Sequence, residues 1–300
     1  MVESAVSEVR TNGRVSMGRK AVITGGTGGI GLHVAVQLSE RGYDVTVVGR
    51  DSARGQDAVG KIGNTARFLQ ADLSSLDEVR SLGARLAEEG PLHLLVNNVG
   101  GMWSTRRETA DGLEASFALN HLSPVVLTTA LLDALRAGKP SRIVDVTSSS
   151  ITTAVIDGLP TYEDVEQAGD HYGMAVTGRA KLAHLSHSLD LAEQLRGSGV
   201  SVIVVDPVGA GAVDTPNAAE MTPDILPPAI RGLWDQIQAG MGSAADVAGS
   251  VVTAATDPAF DDTTGVVLGP DAAPSDSLVK FVTPEISASV RELTARVLAA

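Results

Sequence analysis

The sequence predicts a single α/β domain built on a doubly wound, seven-stranded parallel sheet with helices on both faces. Three observations predict it. Short, β-branched, nearly all-apolar runs recur along the chain, amphipathic stretches of helical length separate them, and a glycine-rich turn joins the first run to the first helix. Strands buried on both faces lose the polar alternation of a half-exposed strand, which is the pattern seen here. With 300 residues, 43% of them hydrophobic and 20% charged, the chain suits one domain around one large sheet.

Residues 1–17 are polar and unpatterned and read as a loose N-terminal arm, so the domain is placed at 18–300. Strands are predicted at 20–24, 44–48, 67–69, 92–96, 142–147, 201–205 and 266–268, and helices at 30–41, 53–59, 76–89, 112–137, 173–196 and 244–256. The fourth helix has a start signal in Asp111 and Glu114, a capping-box-like pair ahead of the apolar stripe Leu113, Phe117 and Leu119. Segments 151–172 and 209–240 break the rhythm with mixed, Pro- and Gly-bearing sequence. Both follow strand C-terminal ends, where open α/β sheets bind ligands, so they are the predicted substrate rim.

Charge and composition exclude several classes. The net charge of −13, from 23 Lys and Arg against 36 Asp and Glu, repels phosphate backbones and anionic membranes and disfavours nucleic-acid binding. The absence of cysteine removes disulfides, thiolate nucleophiles and Cys-ligated metals. No apolar run is read as a membrane span, and Glu3, Glu8 and Arg10 stand where an export signal would be apolar. A soluble, cytoplasmic protein is the expectation.

The first strand runs directly into Thr24-Gly25-Gly26-Thr27-Gly28-Gly29-Ile30-Gly31 and then a helix. In that context Gly25 allows the tight turn, Gly29 lets the backbone approach a pyrophosphate, and Gly31 lets helix and strand pack closely, while the helix N-terminus favours the anion. This is the signal for a dinucleotide in a Rossmann-type fold. The second strand ends at Gly49-Arg50, where an NAD enzyme normally places an acid for the ribose hydroxyls. Arg50, with Arg54 nearby, can instead pair a 2′-phosphate, which predicts NADP(H); the alternative is a solvated surface arginine.

The spacing of the glycine turn resembles that of the short-chain dehydrogenase/reductase family, and further matches follow. Ala71-Asp72-Leu73 is similar to the family's adenine-contacting element, and Asn97-Asn98-Val99-Gly100 to its Asn-Asn-Ala-Gly element. Asn120, Ser148 and Lys181 fall where three of the four catalytic residues of the family belong, Ser148 as the substrate-orienting serine and Lys181 also as a cofactor ligand. The resemblance covers about residues 18–270 and is strongest to the retinol-dehydrogenase-like branch, including bacterial ketoreductases of aromatic polyketides. It implies cofactor contacts at Gly25, Thr27, Gly28, Gly29, Ile30, Gly31, Arg50, Asp72, Leu73, Asn98, Val99, Gly100, Lys181, Pro207 and Gly209. It also implies pairing of two copies through the two long helices, a homodimer.

Two departures stand out. Four residues before Lys181, where the family has its proton-donating tyrosine, stands Thr177. An aliphatic hydroxyl can orient a carbonyl but is a poor acid. Tyr172, nine residues before Lys181, is out of phase on a regular helix and reads more readily as a packing or rim aromatic, and His171 is an alternative donor, though a lone loop histidine is more often a solvated surface residue. The second departure is Asp206-Pro207-Val208-Gly209, in place of the family's Pro-Gly, with the usual following threonine displaced to Thr215. Ser148 lies in a serine cluster that turn chemistry alone would also explain, and Lys181 has the alternative of a snorkelling surface lysine.

Three functions stay open on the sequence. The first is an NADPH-dependent reductase of a polycyclic aromatic quinone or conjugated carbonyl, with Ser148, Thr177 and Lys181 stabilising the oxyanion, no tyrosine acid, and the hydroquinone passed to a partner oxygenase. The second is a cofactor-binding, non-catalytic partner of the same fold. The third is ordinary ketone reduction through a substitute acid.

Overall fold

A computed structural model describes residues 18–63, 66–158, 160–166, 169–209, 211–215, 218 and 221–299. The predicted arm at 1–17 lies outside them. Seven strands form one parallel sheet in the spatial order β3-β2-β1-β4-β5-β6-β9. They are β1 (Arg19–Thr24), β2 (Tyr43–Gly49), β3 (Arg67–Gln70), β4 (Leu94–Asn97), β5 (Ser141–Val146), β6 (Val200–Val205) and β9 (Val266–Leu268). All seven predicted strands are present within three residues at each end. The order reverses between β1 and β4, so their C-terminal ends open a crevice at the centre of the sheet.

Alternation along the strands sends side chains into two separate layers. Ile23, Val47, Val96, Val144, Val146 and Val205 pack on α1 (Gly29–Glu40), α2 (Ser52–Ile62) and α9 (Ala244–Thr256). Val22, Val48, Leu95, Ile143 and Val202 pack on the other side, with Val79, Leu82 and Leu86 of α3 (Leu76–Glu88), Leu127, Leu131 and Leu135 of α5 (Ser123–Ala137), and Leu191 of α7 (Gly173–Gln194). Asp145, between Val144 and Val146, therefore faces the layer that contains α7.

Several expectations are corrected. The fourth predicted helix begins at α4 (Ala115–Phe117), not at Gly112, and its cap is Glu114, whose carboxylate accepts from the N–H groups of Ser116 and Phe117. Asp111 instead accepts from the N–H of Leu76 at 2.9 Å, closing the first turn of α3. The acid pair was real but serves two helices. Residues 118–122 then form one π turn before α5. Pro124 lacks the N–H that would continue regular bonding there. The continuous helical stretch Ala115–Ala137 is long and apolar enough to cross a membrane by length and composition, contrary to the sequence reading, but most of it is buried in the fold.

The predicted rim segments contain structure of their own. The first includes α6 (Ser150–Asp157), eight residues that read as turn because a serine cluster leads into them. The second includes β7 (Ala212–Asp214), which pairs in parallel with β8 (Met241–Ser243), and α8 (Trp234–Ala239). Unlike the all-apolar Val266–Leu268, these two short strands mix small and polar residues and carry no strand pattern. The C-terminal helix α10 (Pro284–Ala299) did have a signal, apolar Ile286, Val290, Leu293 and Val297 in steps of four, three and four. Val290 and Leu293 pack with Phe117, Leu122, Ala180 and Ala183.

Candidate active site

The glycine turn is shaped by conformation and by space. Gly25 and Gly29 adopt φ of +65° and +52°, where side chains are rarely tolerated. A Cβ on Gly31 would stand 2.5 Å from both Asn98 Nδ2 and the carbonyl oxygen of Gly25. Gly26, which the sequence reading left without a role, is as tightly held, since its Cβ would meet Val47 Cγ1 at 2.6 Å. Gly28 faces open space and caps α1 with no side-chain hydrogen bond. The first N–H groups of α1, from Gly29 through Ile30 to Gly31, thus have no side-chain acceptor, which fits a pyrophosphate.

The end of β4 is tied to this turn. Thr24 Oγ1 accepts from the N–H groups of Asn98 (3.0 Å) and Val99 (3.1 Å), and Asn98 Nδ2 donates to Thr24 O at 2.9 Å. Thr27 lies over the end of β2, where a Cβ on Gly49 would come within 2.8 Å of its methyl group. Arg50 follows directly and is exposed. Asp72 is fixed by Ser74, whose N–H and hydroxyl both donate to Asp72 Oδ1, while Leu73 is buried in the core beside α3.

Beyond the cradle, one carbonyl organises the candidate catalytic residues. The oxygen of Gly101 accepts from Asn120 Nδ2 at 2.9 Å and from Thr177 Oγ1 at 3.4 Å. Asn120 sits in the π turn, and its Nδ2 also donates to Ser116 O. Gly100 passes over the same group: a Cβ there would stand 3.0 Å from Asn120 Oδ1 and 3.7 Å from Lys181 Nζ. Lys181 is buried, not a surface residue, and Nζ donates to Val146 O at 2.8 Å. Burial pulls its ammonium down to about 8, against the opposing pull of the Asp145 carboxylate. Ser148 Oγ accepts from the N–H of Ser150 at the start of α6. That turn role leaves its hydroxyl proton available to a substrate oxygen.

None of the three tyrosines approaches Lys181 through the structure's hydrogen bonds. Tyr43 is buried on β2 beneath Arg19. Tyr162 is buried and donates to Arg179 O, with its hydroxyl pushed up by burial. Tyr172 is outside the helix, at the N-cap of α7, and donates to Asp170. His171 Nε2 is engaged with Trp103 O at 3.1 Å. The helix position facing Gly101 belongs to Thr177, which is 5% exposed.

The remodelled loop after β6 folds back on the cradle. Asp206 is buried, its carboxyl raised by burial, and Oδ1 accepts from the N–H groups of Gly209 and Val208. Pro207 and Gly209 therefore form a turn around it, with Gly209 at φ +63°. Thr215 arrives at the glycine turn itself, its methyl 3.3 Å from where a Cβ of Gly29 would be. The sequence reading missed the Asp206 role, the Trp103 backbone contact and a buried polar group behind Lys181. Asp145 in the otherwise apolar run Ile143–Val146 was the available signal for the last.

A central crevice at a strand-order reversal, with a glycine cradle on one side and a buried lysine on the other, defines a nucleotide-binding α/β protein with a reactive site. The chain belongs to the short-chain dehydrogenase/reductase family. The short chain dehydrogenase family model matches residues 19–163. The chain is similar to mouse retinol dehydrogenase 12 (35% identical over 196 residues, 63% of this chain and 61% of that protein) and to mouse polyprenol dehydrogenase (39% over 210 residues, 66% and 61%). It thus spans about three fifths of the length of these curated relatives. Among solved structures it is similar to a short chain dehydrogenase/reductase family protein (29% identical, TM-score 0.63, 84% of this chain and 95% of that one). A short chain dehydrogenase from Burkholderia cenocepacia in complex with NADP is similar to the same extent (28% identical, TM-score 0.63, 84% and 95%). A third, at 31% identity, is covered over 95% of its length.

Proposed function

We propose that this chain is an NADPH-dependent oxidoreductase that reduces a polycyclic aromatic quinone or conjugated carbonyl without a tyrosine general acid. The observation that carries the proposal is the pairing of an intact lysine site with the removal of every tyrosine from it. The glycine cradle, Arg50 and the NADP named with the similar solved structures support the cofactor. A bound nicotinamide supplies hydride. The residues of this chain then hold the acceptor oxygen: Ser148 and Thr177 donate hydrogen bonds and Lys181 supplies positive charge.

For a quinone those groups suffice. Hydride addition gives a delocalised hydroquinone monoanion, which takes its proton from water after the transfer; the balance is quinone, NADPH and one proton giving hydroquinone and NADP⁺. An isolated ketone would give an alkoxide, whose proton must arrive with the hydride. The half-buried indole of Trp103, against Gly101 and Leu119, offers a planar wall beside Thr177. By analogy with the aromatic-polyketide ketoreductases the sequence resembles, the substrate is a polyketide-type aromatic and the hydroquinone passes to a partner oxygenase. A homodimer through α5 and α7 would have to use the parts of those helices that α10 does not cover.

The competing reading, a cofactor-binding partner that does not turn over, rests on the missing phenol alone. Anaerobic NADPH oxidation with polycyclic quinones and isolated ketones separates the two. Quinone turnover is expected, with ketone turnover rising roughly 10²- to 10⁴-fold in Thr177→Tyr. No turnover of either class by protein that binds NADPH would favour the non-catalytic partner.

A further inference from the structure

The inner face of α7 carries Thr177, Lys181, His184 and Ser188, spaced four, three and four residues apart and all buried. A core helix normally presents apolar side chains in that stripe. It packs here against Asp145, which stands in the middle of the sheet and is 2% exposed. An unpaired buried carboxylate is strongly unfavourable, and this one is held from two elements. Asn97 Nδ2 of β4 donates to Oδ1 at 2.8 Å, Ser188 Oγ of α7 donates to Oδ2 at 2.6 Å, and His184 Nε2 of α7 lies 3.5 Å from Oδ1. The next residue of the strand, Val146, provides the carbonyl that receives Lys181 Nζ.

We propose that Asp145, anchored by Asn97 and Ser188 and flanked by His184, is the buried counter-charge that keeps Lys181 a cation. Asp145 and His184 are thus positioning residues, acting through Lys181 and not on the substrate. The inference deepens the proposed reductase, since a site without a phenol depends on that positive charge for its oxyanion.

Among the described residues no ion pair of 4.0 Å or less joins Asp145 to Lys181, so the carboxylate acts on the ammonium through space, from the residue next to the carbonyl that holds Nζ, with His184 as its nearest ionisable neighbour. Behind it, His121 of the π turn and His187 of α7 lie with ring centroids 6.2 and 6.3 Å from that of His184. Burial lowers both, His121 well below its usual range and His187 to about 4, so both are neutral at pH 7. His121 Nε2 is engaged by Thr294 Oγ1 of α10. Asn97 of β4 and Thr128 of α5, bonded to each other, are neutral, while Asp190 lies toward His187 and Arg179 toward His121. The Asp145 carboxyl itself is held down to about 2 by His184, Ser188 and Asn97 against its burial.

The chain has five lysines, so the titration of Lys181 can be followed by NMR of ¹³Cε-labelled lysine in the cofactor-free protein, assigned with Lys181→Gln. In Asp145→Asn the Lys181 titration is expected to fall by about one pH unit or more. In Ser188→Ala, which loosens the anchor, it should fall by less. An unchanged Lys181 titration in a folded Asp145→Asn protein overturns the proposal; should that variant not fold, an unchanged titration in both Ser188→Ala and His184→Gln does so. A purely structural role would lower the melting temperature and leave the titration in place. Because this readout needs neither substrate nor cofactor, failure of quinone turnover would overturn the proposed reaction and leave the counter-charge intact.

Discussion

The two walls of the crevice are built on different principles. The wall formed by β1, α1 and the end of β4 is made of backbone: positive φ angles at Gly25 and Gly29, a carbonyl against Gly31, and threonine and asparagine side chains that tie main-chain groups together. The wall formed by α7, α6 and the loop after β6 presents side chains to the crevice, Ser148, Thr177 and Lys181 among them. A cofactor that is the same in every turnover suits the first. The second is where Thr177 stands four residues before Lys181 and Asp206 holds a turn, so the proposed loss of a phenol would leave the frame of the first wall in place.

That contrast is open to direct attack. The largest effect is expected at Gly31→Val, which forces a side chain into the 2.5 Å contacts with Asn98 and Gly25. It should destabilise the protein by about 2–3 kcal/mol and abolish NADPH binding by fluorescence titration, whereas Thr177→Ala should leave that binding within about twofold. Next, Arg50→Ala should weaken NADPH binding by roughly 10- to 100-fold and leave NADH unchanged, the loss of one charge-assisted contact. Equal affinity of the unaltered protein for both cofactors would remove Arg50 from the site.

A smaller effect concerns the side-chain wall and pH. His187 is lowered to about 4 and His121 further, so between about pH 6.5 and 4 the unfolded chain binds protons that the folded chain does not. Stability is therefore full above about pH 6.5 and is lost as the pH falls through that window, by about 3 kcal/mol from His187 alone. Melting temperatures from pH 7.5 to 4 measure this, and His187→Leu should flatten the decline. A wild-type melting temperature constant across that range would contradict the buried neutral histidines.

The same contrast explains what the sequence discloses. The seven strands and the glycine turn follow from local pattern and from conformations that only glycine adopts readily. Thr177 is visible because it sits at a fixed helical step from Lys181. The reassignment of Asp111 to α3 depends on residues 35 apart in the chain, which no local rule links. The Asp145 group joins β4, β5 and α7 in the same way, and Thr215 reaches Gly29 only because the loop after β6 folds back.

The most direct test of hydride transfer without a protein acid is the pair of isotope effects on anaerobic quinone reduction, measured with 4-deuterated NADPH and in heavy water. A primary effect from the deuterated cofactor with a solvent effect near unity is the expected result. A large solvent isotope effect on the same step would show a proton moving with the hydride and contradict the account.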